Sequence, residues 1–314
     1  MQGIKIMATG RALPSKVIDN DTLSTFVDTN DEWIRERTGI CQRYVCEENE
    51  GCESLAILAA KKALDKSGVD PEKIGFVIVA TSSSDYDFPA TACLVSKSLG
   101  LTNEVMSFDM TAACTGFVYG LNIIRGLMAS KPGSYGILVG SEKLSRILDY
   151  SDRSSCILFG DGAGAAVIGL EDKAFFHKAW SDGDIEKAAL SCYGAGVDGA
   201  KLKMDGKAVF KFAVKALKQG IDEILAEANL GIEDMDYVIC HQANARIIDH
   251  VKRKYKGQEH KFFENIASYG NTSAASIPIA LDEMFEKGML KAGMKVILVG
   301  FGAGFTWSSA LVEI

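Results

Sequence analysis

In the stretch EVMSFDMTAACTGFVYGLNIIRGLM, residues 104–128, a run that reads as a buried strand leads through a turn of small residues into a strongly apolar segment, and the turn carries Cys114. Cys114 thus stands at a helix N-terminus. The unpaired N–H groups and positive dipole end there stabilise an anion, so the thiol is expected to have a lowered pKa and to act as a nucleophile. A thiolate is also a competent leaving group, which suits covalent transfer of an acyl group. Two more residues fit such chemistry: His241, directly after the apolar run YVIC, and Asn271, just before a helix beginning near Ser273. An imidazole N–H and a carboxamide are neutral donors able to stabilise an oxygen that gains negative charge. Each also has a plain structural reading. Free Cys is a small hydrophobe and often buried, a His after a strand commonly satisfies local hydrogen bonds, and an Asn beside Gly is a turn residue.

The surrounding elements decide whether these residues can meet. The sequence predicts a strand over residues 3–8, a helix over 20–27, and a further helix capped by Asn30 or Asp31. That helix holds Trp33 and Arg37 four apart on one face. An aromatic plane beside a guanidinium suits a purine and a phosphate; an exposed Trp packed by an Arg stem is the structural equivalent. Helices are expected over 51–68 and 90–99, and the run IGFVIVAT over 74–81 reads as a strand buried on both faces. The segment after Cys114 is apolar around its whole axis, which places it inside a large core with no water-facing side. LFGDGAGAAVIGL has glycines spaced GxGxG and continues as a strand, so it lacks the dinucleotide fingerprint and reads as close backbone packing. Residues 171–206 show no clear period, and 209–229 form an amphipathic helix.

The last third repeats the first. YVIC matches FVIV, and KVILVGFGAG matches YGILVGSEKL, so the chain reads as two similar α/β halves. In such folds strand ends converge on one crevice, which brings Cys114, His241 and Asn271 within reach of one another.

Composition narrows the class. A net charge of −7 over 314 residues argues against a general nucleic-acid binder. No secretory signal and no bilayer-spanning apolar run is seen. Eight cysteines without CxxC or zinc spacing fit reduced thiols in a cytoplasmic protein.

Together, DMTAACTGFVYGL, LFGDGAGAAV, CHQANARI, YGNTSAASIP and GFGAGFTWSSALV resemble β-ketoacyl-acyl carrier protein synthase III, the initiating condensing enzyme of type II fatty acid synthesis. The resemblance covers the whole chain. It implies an α/β thiolase-like fold with two duplicated halves, 1–170 and 171–314, in a five-layer αβαβα arrangement, as a cytoplasmic homodimer. It implies Cys114 as acyl acceptor, His241 and Asn271 as the decarboxylation pair, and the backbone N–H groups of Cys114 and Gly304 as oxyanion donors. Trp33, Arg37 and Arg153 match the surroundings of the coenzyme A adenine, and Asn244 a contact to the pantetheine arm. The segment Gln242, Ala243, Asn244, Ala245 and Arg246 matches the carrier-protein contact region. A local basic patch is needed for an acidic carrier protein, and Lys211, Arg246, Lys252, Arg253, Lys254 and Lys256 can supply it. Phe88, on a loop before Pro89, matches a wall of the primer pocket reaching across the dimer; an aromatic in the monomer's own core is the alternative. Acyl-CoA and malonyl-acyl carrier protein are the implied substrates, with no metal or other cofactor. Ala303 and Ser308 depart from the family's usual glycines. An acyltransferase without condensation, a condensing enzyme of a secondary-metabolite pathway, and a non-catalytic acyl-CoA-binding scaffold are the competing readings.

Overall fold

The computed structural model describes residues 2–184, 186, 189–192 and 201–314. The first sheet draws on β1 (Gly3–Ala12), β2 (Ile74–Ala80), β3 (Met106–Met110), β4 (Tyr135–Glu142) and β5 (Gly162–Glu171), in spatial order β1-β5-β4-β2-β3. The second draws on β6 (Phe176–Ser181), β7 (Tyr237–Cys240), β8 (Phe262–Phe263), β9 (Lys295–Gly302) and β10 (Thr306–Glu313), in order β6-β10-β9-β7-β8. Counting only these ten strands, each strand of the second sheet is the fifth after its counterpart in the first. Directions repeat as well: β2 is parallel to β3 and β4, β7 is parallel to β8 and β9, and β5 and β10 run antiparallel to both their neighbours. This is the duplication expected from the matched strand motifs.

The helices that frame the site are α1 (Asp31–Thr38), α2 (Cys52–Ser67), α3 (Thr91–Ser98), α4 (Gly116–Ala129), α5 (Gly206–Ala228), α6 (Ala245–Lys252) and α7 (Ser276–Glu286). Three hydrophobic clusters define five layers. Ala56, Ala59 and Ala60 of α2 pack with Val77, Val79 and Ile137 on the outer face of the first sheet. Leu217, Ile221 and Ile224 of α5 and Ile248 of α6 do the same on the second with Val238, Ile297 and Val299. Between the sheets, α4 and α7 share one core through Phe117, Leu121, Ile124, Ile277, Leu281 and Met284. Small residues on α2 are what let a helix lie close on a fully buried strand.

Glycines set the close approaches. A Cβ on Gly164 of β5 would lie 2.7 Å from backbone atoms of Pro278 and Ile279 in α7, and one on Gly160 would lie 2.6 Å from the Tyr269 carbonyl. The GxGxG run is therefore packing, as the sequence reading had it.

Two expectations change. β3 is not buried: it pairs only with β2 and forms the sheet edge, with Met106 53% exposed. α4 does have an open side, carrying Asn122, Ile123 and Gly126, because the two sheets bury it only toward Phe117, Leu121, Ile124 and Met128. In 171–206, where periodicity was silent, β6 joins the edge of the second sheet, and the short strands Leu190–Cys192 and Leu202–Met204 pair with each other. Positions 193–200 lie outside the described residues.

Candidate active site

The duplicated topology puts two similar turns at the centre of the molecule. After β3, Ala113–Thr115 form one 3-10 turn that runs straight into α4; after β8, Ser273–Ala275 form the matching turn into α7. Each turn starts with a non-glycine residue in the left-handed region, Ala113 at φ 44° and Ser273 at φ 49°. Such residues persist only where the surroundings hold them. Cys114 sits in the first turn, 8% exposed. Gly302, at the end of β9, lies against it: a Cβ there would be 2.8 Å from the Cys114 nitrogen. The absent side chain leaves open space beside that N–H. The β9–β10 hairpin, which carries Ala303 and Gly304, is tied to the Cys114 turn by Thr115 Oγ1, 3.0 Å from Thr306 Oγ1 and donating to the Thr306 carbonyl at 3.1 Å.

His241 follows β7 and is 1% exposed. Its Nδ1 is 2.7 Å from Ser276 Oγ, which also accepts the Gln242 N–H at 3.3 Å. The serine hydroxyl is taken as the donor to Nδ1. The ring proton is therefore assigned to Nε2, the buried ring nitrogen that has no partner. Asn271 is held by its backbone to Leu158 and Gly160, and its Oδ1 accepts the Ser273 N–H at 2.9 Å. That bond fixes the amide orientation and turns its NH2 toward the cavity.

Burial sets the protonation states. It pulls the His241 pKa down to about 3, so the imidazole is neutral. It pushes the Cys114 thiol up to about 12, with the Ser273 hydroxyl opposing and the Glu142 carboxylate adding to the rise. The lowered thiol pKa expected from the helix N-terminus is therefore corrected: burial costs the thiolate more than the Ser273 hydroxyl and the turn's own N–H groups return.

A cavity of about 890 Å³ joins these groups to the surface. Cys114, His241 and Asn271 are its buried lining; Trp33, Arg37, Asn244 and Arg246 are half-buried or exposed and mark its mouth. Asn30 caps α1 by accepting the Trp33 N–H, and the guanidinium groups of Arg37 and Arg153 lie 4.5 and 5.1 Å from the Trp33 ring centre. Arg153 thus belongs to the mouth although it does not line the cavity itself. Asn244 caps α6 and donates to the Arg37 carbonyl, joining the two mouth helices.

The structure separates the remaining expected residues. Gln242 is 1% exposed and its amide is spent on the Cys240 and Phe263 carbonyls and the Asn265 N–H, so it holds the fold and offers a carrier protein nothing. Ala243 is buried in the cavity wall, and Ala245 is half-buried over Gly39. Arg246, Arg253, Lys254, Lys256 and Lys211 are exposed, whereas Lys252 is tied to Asp249 and Glu264. Arg253 is the C-cap of α6 and Lys254 lies beyond it, so these two do not continue the helical face of Arg246. Phe88 is 86% exposed, which excludes the core reading. Sequence reasoning missed Lys207, whose position near the start of α5 brings it to the cavity mouth, and the aromatic wall of Phe212, Phe301 and Phe305. Each Phe follows a Gly or an alternation of apolar residues that carries no signal of direction. Among the described residues no cluster of His, Cys, Asp and Glu could hold a metal, and no helix is long and apolar enough to cross a membrane.

Fold and site define a duplicated, thiolase-like α/β protein with a thiol, an imidazole and a carboxamide at the junction of its sheets. The family models for 3-oxoacyl-[acyl-carrier-protein (ACP)] synthase III and for its C-terminal region match residues 108–183 and 225–314. The β-ketoacyl-[acyl-carrier-protein] synthases III of Clostridium tetani and Clostridium acetobutylicum are 43% and 42% identical, covering 99% and 100% of this chain and 98% and 99% of theirs. The crystal structure of 3-oxoacyl-[acyl-carrier-protein] synthase III from Aquifex aeolicus superposes with a TM-score of 0.93 at 39% identity, covering 99% of this chain and 100% of that one. This chain belongs to the 3-oxoacyl-[acyl-carrier-protein] synthase III family.

Neutral, buried His241 has a consequence for stability. Its pKa is about 6.5 in the unfolded chain and about 3 when folded, so between those values only the unfolded chain takes the proton. The His241 contribution is full above pH 6.5 and falls as pH drops toward 3, by about 1.4 kcal/mol per unit. Denaturant unfolding of the wild type should therefore lose stability more steeply between pH 6.5 and 4 than that of His241→Gln. Parallel curves would contradict the assignment.

Proposed function

We propose that this chain condenses a short acyl-CoA primer with malonyl-acyl carrier protein, giving a 3-oxoacyl-acyl carrier protein, carbon dioxide and coenzyme A. The observation that carries this reading is one cavity lined by Cys114, by His241 with its buried Nε2 unpartnered, and by Asn271 with its Oδ1 held by the Ser273 N–H. In the first step Sγ of Cys114 attacks the thioester carbon, the bond to coenzyme A breaks, and coenzyme A leaves as its thiol with the cysteine proton. The N–H of Cys114 stabilises the oxyanion in the space that Gly302 leaves open; Gly304, expected as the second donor, is exposed and does not line the cavity. That stabilisation offsets the cost of forming a buried thiolate. In the second step the malonyl carboxylate departs as carbon dioxide, and His241 Nε2–H and the Asn271 amide stabilise the enolate oxygen. The carbanion attacks the acyl-Cys carbonyl, and the Cys114 thiolate leaves and regains a proton from solvent. A buried neutral imidazole favours donation here, since a cation in its place would be costly to hold.

Trp33, Arg37, Arg153 and Asn244 take the nucleotide and pantetheine arm at the mouth. Lys211, Arg246, Arg253 and Lys254, together with Lys207, form the docking patch for an acidic carrier protein. The open edge of β3 and exposed Tyr86, Phe88 and Met106 support a homodimer, with Phe88 of one copy closing the primer pocket of the other. The free state of all eight cysteines suits the cytoplasm.

Cys114→Ala should abolish acylation by acyl-CoA, read by intact-protein mass, yet still decarboxylate malonyl thioester slowly. Asn271→Ala should acylate normally and lose condensation by at least about 10²-fold, the usual effect of removing one oxyanion donor. Equal loss of both steps in both variants would overturn the division of roles. Reversing Lys211 and Arg246 to Glu should lower kcat/KM for malonyl-carrier protein by about tenfold or more, most strongly at low salt, and spare Cys114 acylation. If both substrates suffer alike, the patch serves coenzyme A. Phe88→Ala should shift the primer preference toward longer or branched acyl-CoA; an unchanged panel removes Phe88 from the pocket.

A further inference from the structure

Glu142, the last residue of β4, is fully buried in a site where none of the steps above uses it. Its Oε2 accepts from the Ser82 N–H at 3.1 Å, from Ser83 Oγ, and from Thr81 Oγ1 at 3.4 Å. All three donors belong to the segment after β2 that leads to Phe88. Its Oε1 has no full hydrogen bond. The duplication shows where that oxygen points. β4 and β9 are matching eight-residue strands, so Glu142 is the counterpart of Gly302. A Cβ at Gly302 would press on the Cys114 nitrogen, at the turn before α4. Glu142 correspondingly faces the turn before α7, where the Ser273 hydroxyl and the Ala274 N–H are in looser polar contact with it. Gly140 and Gly300 repeat the pairing one step earlier: a Cβ would meet the Ala274 carbonyl at 2.3 Å in the first case and the Cys114 carbonyl at 3.4 Å in the second.

The two turns thus carry two equivalent anion cradles. Beside Cys114 the cradle is empty because position 302 is Gly, and a substrate oxyanion can enter. Beside Ala274 the cradle is filled by the protein's own carboxylate.

We propose that Glu142 is a positioning residue for the condensation: it occupies the twin of the oxyanion site and holds the Ser273–Ala274 turn so that the Asn271 amide faces the enolate. The link to Asn271 is the Ser273 N–H, which Asn271 Oδ1 accepts, in a residue held at φ 49°. Burial raises the Glu142 pKa to about 7, so at pH 8 it is ionised. The proposal rests on the roles given above to Cys114 and Asn271.

The effect falls on one half-reaction, which makes it separable from simple bracing of the fold. In Glu142→Gln at pH 8, acylation of Cys114 by acyl-CoA, read by intact-protein mass, should stay close to the wild-type rate. Decarboxylation of malonyl thioester should fall by about tenfold in the same protein. Glu142→Asp keeps the charge but is one methylene short of the turn, so its decarboxylation should fall as well while acylation is kept. Should Glu142→Gln not fold, Ser273→Ala leaves the carboxyl in place and should slow decarboxylation. Rates that fall together in Glu142→Gln, or that do not move, overturn the proposal; so does unchanged decarboxylation in Ser273→Ala. Asn271→Ala run alongside separates the premises: if it decarboxylates like wild type, the reading of the site has failed rather than the role of Glu142.

Discussion

The contact of two 3-10 turns between two sheets is the constraint on which the rest of the molecule depends. Each turn launches a buried helix, and each needs the facing strand end to approach within van der Waals distance of its backbone. Gly116, Gly140, Gly300 and Gly302 make that approach possible, since a Cβ at three of these positions would come within 3 Å of another residue. At Gly302 the same omission also empties the space beside the Cys114 N–H. Packing and chemistry are therefore set by one feature, and neither can be altered without the other.

Burial decides the electrostatics of this centre. Removing water raises the proton affinity of the thiol and lowers that of the imidazole, so the resting site holds a neutral thiol, a neutral imidazole and a neutral amide. Charge in such a place is generated only when a substrate supplies the stabilising partners, and the preorganised N–H groups then act without reorganisation. Glu142 is the exception, and its charge is held by hydroxyl and N–H donors from two loops. The aromatic wall of Phe212, Phe301 and Phe305 extends the dry region toward the mouth, where Trp33 and its two arginines meet solvent.

Much of this was legible in the sequence because it rests on motifs with fixed local geometry. The strand pairs FVIV with YVIC and YGILVG with KVILVG announced the duplication, and the turn after β3 placed Cys114 correctly. What failed did so for physical reasons. A helix-terminus argument treats the thiol as partly solvated, and only the packed structure shows how little water reaches Cys114. Gln242 lies two residues before the half-buried to exposed run Asn244–Arg246, but strand-end geometry turns its amide inward onto carbonyls. β3 and α4 are apolar enough for the core, and nothing in their periodicity tells that one is a sheet edge and the other has an open side. The patch at the mouth lost Lys252 to two carboxylates and gained Lys207, because ion pairing depends on elements distant in sequence.

The central claim is that one buried cysteine carries the acyl group between two half-reactions. A single-turnover experiment followed by intact-protein mass tests it most directly. The protein is first incubated with an acyl-CoA, freed of excess reagent, and then mixed with malonyl-acyl carrier protein. The account predicts a mass gain of one acyl group located on Cys114, discharged at the rate at which carbon dioxide and 3-oxoacyl-carrier protein form. Product formation with no acyl group ever found on Cys114, or an acyl-Cys114 that malonyl-carrier protein does not discharge, would contradict it.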